Sequence, residues 1–177
     1  MKRLFVTLIA LGFLVGTTTA ENAAEPRGAE LLVPFKMELK SALTAGMAEG
    51  PVAAISVCRD QAPQIAESLS TGEIRMGRTS HRLRNPENAT PGWVTPVLDG
   101  YLDQTGSRKP RTVTIDEGRE GYVEPILIQP VCLTCHGPAL ADDVAARIAE
   151  LYPDDRAVGF REGDFRGVFW VEYPVEP

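Results

Sequence analysis

Apolar positions along this chain recur at helical spacing in four segments. The longest covers residues 29–49 and ends at Gly50-Pro51, a pair that does not continue a helix. Its apolar positions are Leu32, Phe35, Leu39, Leu43 and Met47. Shorter patterns predict helices over residues 61–70, 93–104 and 140–151.

Four further segments have the composition and length of β-strands. They cover residues 73–79, 111–116, 121–128 and 167–173, and residues 117–120 join the second to the third as a hairpin turn. The chain has no internal repeat and no low-complexity stretch that would divide it. We therefore expect one domain that contains both helices and strands.

The first twenty residues have the pattern of a secretory signal peptide. Lys2 and Arg3 precede an apolar run over residues 4–15, and small residues at 17–20 offer a cleavage site before Glu21. The run is too short to span a bilayer comfortably. We expect residues 1–20 to be removed and residues 21–177 to form one exported, periplasmic domain without a stable membrane anchor.

The net charge of the chain disfavours two classes of binding partner. The formal net charge is −6, and loss of Lys2 and Arg3 with the signal peptide would make it −8. An acidic chain of this kind is not expected to bind nucleic acid or an anionic membrane surface. A mature chain of about 157 residues is long enough to bury a core of its own.

The segment Cys132-Leu133-Thr134-Cys135-His136 is the motif with the most specific chemistry. C-x-x-C-H is the attachment sequence of c-type haem, in which two thiols bind the haem covalently and the histidine reaches the iron. The alternatives are a thioredoxin-like redox pair or half of a zinc site. The predicted export and the scarcity of other cysteine and histidine residues favour a single covalent haem c.

The third cysteine, Cys58, has no partner within the chain if both motif cysteines bind haem. It is then a buried thiol, an intermolecular disulfide or an iron ligand. A six-coordinate haem needs a second axial ligand, and no methionine follows the motif. The candidates are Cys58, His81, Met37, Met47 and Met76, or an open site.

The predicted elements distinguish among these candidates. Cys58 follows a short apolar run over residues 52–57 and precedes the helix predicted over 61–70, so it would lie at a helix N-terminus. There the helix dipole would favour the thiolate, the form that binds iron. Met47 falls on the apolar face of the first helix, where core packing is the simpler interpretation.

Three arginines lie close together in the polar segment that follows the first predicted strand. Arg78, Arg82 and Arg84 could bind the haem propionates, because a guanidinium group pairs well with a carboxylate. The alternative is a solvated loop. His81, in the same segment, is expected at the surface and is the substitute ligand if Cys58 does not bind iron.

Nearly the whole mature chain resembles the PAS-like c-type haem domains with His/Cys axial ligation. The resemblance rests on segments that occur in the family's order. They are 54–58 (AISVC), 62–66 (APQIA), 77–80 (GRTS), 84–88 (RNPEN), 124–126 (EPI), 132–137 (CLTCHG), 152–160 (YPDDRAVGF) and 162–167 (EGDFRG).

The resemblance implies an α+β fold: a PAS-like antiparallel sheet flanked by helices, with a long N-terminal helix. It implies haem attachment at Cys132 and Cys135, His136 as proximal ligand and Cys58 as distal ligand. Many relatives are the sensing part of a kinase or chemotaxis receptor. We expect this chain to depart from them, without a transmembrane helix or an output domain, which puts a direct signalling role in doubt.

We therefore expect a non-enzymatic haem protein that transfers electrons at low potential or senses redox state, because a thiolate ligand stabilises ferric iron. Its partner would be an exported redox protein. The alternative is a sensor or binding protein for a small gas such as carbon monoxide or nitric oxide. A peroxidase-like enzyme has little support beyond His81, and the predicted strands argue against a helical-bundle cytochrome.

Overall fold

A computed structural model describes residues 26–104 and 108–175 of the chain. The predicted signal peptide, residues 1–20, lies outside the described residues. The helices are α1 (Arg27–Glu49), α2 (Pro51–Leu69), α3 (Thr95–Leu102), α4 (Leu133–His136) and α5 (Asp142–Leu151). Short 3₁₀ turns cover Pro86–Asn88 and Pro130–Cys132, and the second of them leads directly into α4.

The strands form one antiparallel sheet. They are β1 (Arg75–Thr79), β2 (Arg111–Asp116), β3 (Arg119–Leu127) and β4 (Phe165–Pro174), in the spatial order β1-β4-β3-β2. The β2–β3 hairpin lies where the sequence predicts one, with Arg119 opposite Asp116. The C-terminal strand β4 pairs with β1 on one side and β3 on the other, so it lies in the middle of the sheet.

Each face of the sheet packs against helices, because side chains alternate along a strand. On one face, Val171 and Tyr173 of β4 pack with Leu32 and Phe35 of α1. On the other face, Val168 of β4 packs against the side chains of α3. Helices on both sides of an antiparallel sheet confirm the predicted α+β class.

The second helix differs from its prediction. The sequence predicts a short apolar segment over 52–57 and a separate helix from 61, but α2 runs unbroken from Pro51 to Leu69. Pro63 therefore lies inside the helix, where it lacks the N–H that would bond the carbonyl one turn earlier. The apolar run over residues 52–57 did not predict this helix, because a short apolar run is typical of a helix and of a strand alike.

The described residues contain no candidate for a membrane-crossing helix: none of their helices combines the length and the apolar composition that spanning a bilayer requires.

Candidate haem site

A cavity of about 270 Å³ lies between the α1–α2 pair and one face of the sheet. Its walls include all three cysteines and His136, although Cys58 is more than seventy residues from the motif in sequence. Each of these cysteines is a free thiol and is partly buried. The fold therefore brings together the residues that the sequence separates.

The helical wall of the cavity consists of side chains on one face of α2. Ile55, Cys58, Ala62 and Ala66 recur at spacings of three and four residues, so they form a single stripe facing the cavity. Small alanine side chains around Cys58 leave room for a flat, bulky group beside the sulfur.

Cys58 itself does not lie at a helix N-terminus as predicted. It lies in the interior of α2, since the helix begins at Pro51. The argument that the helix dipole favours its thiolate is therefore wrong, because that effect fades beyond the first turn. What the structure offers Cys58 is a place on the cavity wall, in the same cavity as His136.

His136, at the end of α4, also lines the cavity. Its Nδ1 lies 2.6 Å from the backbone carbonyl of Ala157. A carbonyl can only accept, so Nδ1 carries the proton and the Nε2 lone pair is left for a metal. Burial, and then the charges of Arg84 and Arg166, lower the pKa of His136 to about 3. The imidazole is therefore neutral at physiological pH, as an iron ligand must be.

The segment that follows α5 holds the motif in place. Phe160 donates its N–H to the carbonyl of His136 at 2.9 Å, and Gly159 donates to Gly137 at 2.9 Å. Arg84 donates from Nη2 to the carbonyl of Cys135 at 2.6 Å. These bonds fix both the position of the His136 backbone and, through Ala157, the orientation of its ring.

The two motif thiols have different surroundings. The Cys132 sulfur accepts a hydrogen bond from the N–H of Gln129 at 3.4 Å. Burial raises the pKa of the Cys135 thiol, Arg84 opposes this shift, and the nearby thiols of Cys58 and Cys132 add to it. Both motif thiols line the cavity that Cys58 lines.

The predicted arginines occupy three different positions. Arg78, on β1, lines the cavity, and within 26–104 and 108–175 its side chain has no hydrogen-bond or ion-pair partner. Arg84 also lines the cavity, but its guanidinium binds Asp155, with Nε–Oδ1 at 3.2 Å and Nη2–Oδ2 at 3.1 Å. Arg82 is not among the cavity-lining residues and donates to the carbonyls of Arg156 and Val158.

Sequence analysis missed a further arginine, Arg166, at the start of β4. It lines the cavity, and burial, followed by the charges of Arg78 and Arg84, lowers its pKa to about 10. Gly167 beside it has φ +154°, and a Cβ there would lie 2.2 Å from the carbonyl oxygen of Thr79. The close approach of β4 to β1 at this glycine places Arg166 near Arg78, and only strand pairing reveals it.

Tyr152, at the end of α5, is a second residue that sequence analysis missed. It is buried, lines the cavity and packs with Ile55 and Cys135. Burial, and then the neighbouring Cys58 thiol, raise the pKa of its phenol. A protonated hydroxyl is thus available beside the sulfur groups of the cavity.

The other candidate ligands are distributed differently. His81 lies outside the cavity, with its ring stacked on Phe165 at 5.9 Å between centroids. Met37 is exposed and Met76 is buried in the core between α1 and the sheet. Met47, which the helical pattern assigns to the core, lines the cavity instead.

Comparison with known proteins shows the family of the chain. A family model described as Tll0287-like matches residues 16–174. The chain belongs to the Tll0287-like family. No curated protein matches the chain.

One solved structure extends this comparison to the fold. It is described as the crystal structure of the cyanobacterial heme-protein Tll0287. The match has a TM-score of 0.64 and 24% sequence identity, and it covers 85% of this Tll0287-like chain and 97% of that chain. The two chains thus share a fold over nearly their whole described length.

Proposed function

We propose that this chain is an exported monohaem c-type protein, ligated by His136 and Cys58, that transfers electrons at low potential or senses redox state. The observation that carries the proposal is that all three cysteines and His136 line one cavity. Membership of the Tll0287-like family and the haem of its cyanobacterial structural relative support the cofactor.

Cys132 and Cys135 would hold the haem covalently. Each thiol would add across one vinyl group of the haem: its S–H bond and the vinyl π bond would break, a C–S and a C–H bond would form, and no external oxidant or reductant would be needed. The half-buried position of both sulfurs on the cavity wall suits this role. The haem would supply a one-electron iron centre, and every other property of the site would come from the chain.

His136 and Cys58 would set the chemistry of that iron. His136 offers Nε2, because Nδ1 is bonded to the carbonyl of Ala157. Cys58 would bind as a thiolate from the α2 wall, and an anionic sulfur ligand stabilises ferric iron. A low reduction potential is the expected result.

The arginines of the cavity suit the charge of a haem. Arg78, Arg84 and Arg166 carry three positive charges on its wall, and Asp155 neutralises one of them through Arg84. The remaining two match the two propionates of one haem. Arg78, which has no protein partner in the described segments, is the strongest candidate for a propionate contact. Arg82, bound to backbone carbonyls, is better suited to holding its loop.

We further propose that residues 21–177 are one PAS-like domain with a long N-terminal helix, located in the periplasm. The antiparallel order β1-β4-β3-β2, with helices on both faces, supports the comparison with PAS domains. The partner would be an exported one-electron carrier rather than a nucleic acid, given the acidic charge.

Binding of a small gas is the second candidate function. Tyr152 favours it, because a buried phenol beside Cys58 could donate a hydrogen bond to carbon monoxide or nitric oxide if Cys58 left the iron. A peroxidase role has weaker support, since the one residue considered as a distal acid–base group, His81, lies outside the cavity. We propose no enzymatic activity.

Electron paramagnetic resonance and optical spectra of the ferric protein test the ligand set. We expect a low-spin thiolate signature that Cys58→Ala abolishes. Ser68→Ala is a matched control, because Ser68 lies on the same helix but is exposed and outside the cavity. Identical spectra for the wild type and Cys58→Ala would contradict thiolate ligation.

A further inference from the structure

The helical wall of the cavity carries a second sulfur, that of Met47. This residue lies near the C-terminus of α1, and Cys58 lies on α2, which follows after the single residue Gly50. Both side chains line the same cavity. Met47 is the one methionine among the cavity-lining residues, and His136 is the one histidine.

The two helices are held close together beside Met47. A Cβ added to Gly46 would lie 2.8 Å from the Cα of Ala54 and 3.1 Å from a methyl carbon of Val57. Ala54 is one turn of α2 before Cys58. The contact holds Met47, the residue after Gly46, close to the first turns of α2, and both Met47 and Cys58 line the cavity that His136 lines.

The three methionines of the described segments have distinct surroundings. Met76 is buried in the core and is 6% exposed, whereas Met37 lies on the outer surface of α1 and is 66% exposed. Met47 is partly buried and belongs to none of the hydrophobic clusters of the described residues. Core packing therefore does not account for its position on the cavity wall.

We propose that Met47 is a second distal ligand, which replaces Cys58 when the haem is reduced. The inference rests on the proposed haem function. One electron from an exported one-electron donor converts ferric to ferrous iron. Cys58 leaves the iron and takes up one proton from solvent, and the Met47 sulfur donates a lone pair to the vacated position.

The chemistry of the two sulfurs favours this exchange. Thiolate is anionic and stabilises the ferric state, whereas a neutral thioether raises the potential and suits the reduced state. A long, unbranched methionine side chain can also shift its sulfur at low cost in packing. The exchange would make reduction self-reinforcing, since each state of the iron would select the ligand that stabilises it.

Proton nuclear magnetic resonance of the ferrous holoprotein tests the exchange. With the methionine methyl groups isotopically labelled, we expect one methyl signal shifted far upfield by the haem ring. Met47→Leu should remove that signal. Met37→Leu is the matched control and should keep it, because Met37 is on the same helix but points to solvent.

The outcomes separate this inference from the proposed function. A ferrous wild-type protein without an upfield methionine signal would overturn the exchange, even if Met47→Leu failed to mature. A signal that survives Met47→Leu would overturn it too. In both cases the ferric thiolate signature, and its loss in Cys58→Ala, would still support ligation by Cys58.

Discussion

The two walls of the cavity are built by different forces. The motif wall is held by hydrogen bonds: Arg84 binds the carbonyl of Cys135, and Ala157 and Phe160 bind His136 through ring and backbone. The helical wall is held by packing, and the Cys58 thiol has no hydrogen-bond partner within the described segments. The difference teaches that this fold fixes the ring of His136 by hydrogen bonds and leaves the Cys58 side chain without such a bond.

Substitution of Arg84 is expected to disturb the motif wall of the cavity more than any other change proposed here. Its ion pair with Asp155 is mostly buried, with side-chain exposures of 12% and 8%. Arg84→Ala would leave the Asp155 carboxylate buried and unpaired, and would remove the bond to Cys135. We expect a loss of about 3 kcal/mol in unfolding free energy, measured by urea denaturation.

Arg161→Ala is the control for this variant. Arg161 is an exposed arginine whose side chain has no partner in the described segments. Its loss should change the free energy of unfolding by less than about 0.5 kcal/mol. Equal losses of unfolding free energy in the two variants would contradict the conclusion that the bonds of Arg84 hold the motif wall in place.

Arg78 tests the charge of the cavity separately from the bonds that hold its walls. It lines the cavity from β1, and its side chain bonds to neither the motif nor the helices. In the proposed haem protein, Arg78→Gln would remove a positive charge from the wall of the haem cavity, which would stabilise the ferric state and lower the reduction potential. We expect a shift on the order of 1 kcal/mol, or tens of millivolts, by redox titration.

Arg75→Gln is the matched control for Arg78, since Arg75 lies on the same strand but is exposed and bonded to the carbonyls of Gly72 and Ile74. Its substitution should leave the potential unchanged. If Arg78→Gln shifts the potential no more than this control, Arg78 does not interact with the haem.

Substitution of His81 has the smallest expected effect, which is on the pH dependence of the free energy of unfolding. Burial, and then the charges of Arg82, Arg166 and Arg108, lower its pKa below the usual 6.5. The unfolded chain therefore binds more protons near that pH, so stability falls as the pH drops through about 6.5. His81→Gln should reduce this slope in urea unfolding. An unchanged slope would contradict the lowered pKa of His81.

The motif could be found from the sequence because its residues are contiguous, and its attachment of haem stays a prediction. The four strands were predicted to within two residues at every end, because short β-rich runs bounded by turns are local signals. The continuity of α2 was missed, since an apolar run beside Pro63 fits two structures. The consequence was a wrong position for Cys58 within its helix, and its ligation of iron stays a prediction.

A short segment of sequence does not predict which arginines line the cavity. Arg78 and Arg166 come together because β1 pairs with β4, from the far end of the chain. Arg82 and Arg166 look alike in sequence, and one lines the cavity while the other does not. Only strand pairing and side-chain direction distinguish them, and neither is encoded in a short segment.

X-ray absorption at the iron of the ferric holoprotein tests the central claim most directly. The account predicts a sulfur ligand in addition to the nitrogens of the haem and His136, and predicts that Cys58→Ala removes it. A wild-type spectrum with nitrogen or oxygen ligands alone would contradict ligation by Cys58, and with it the expected low potential.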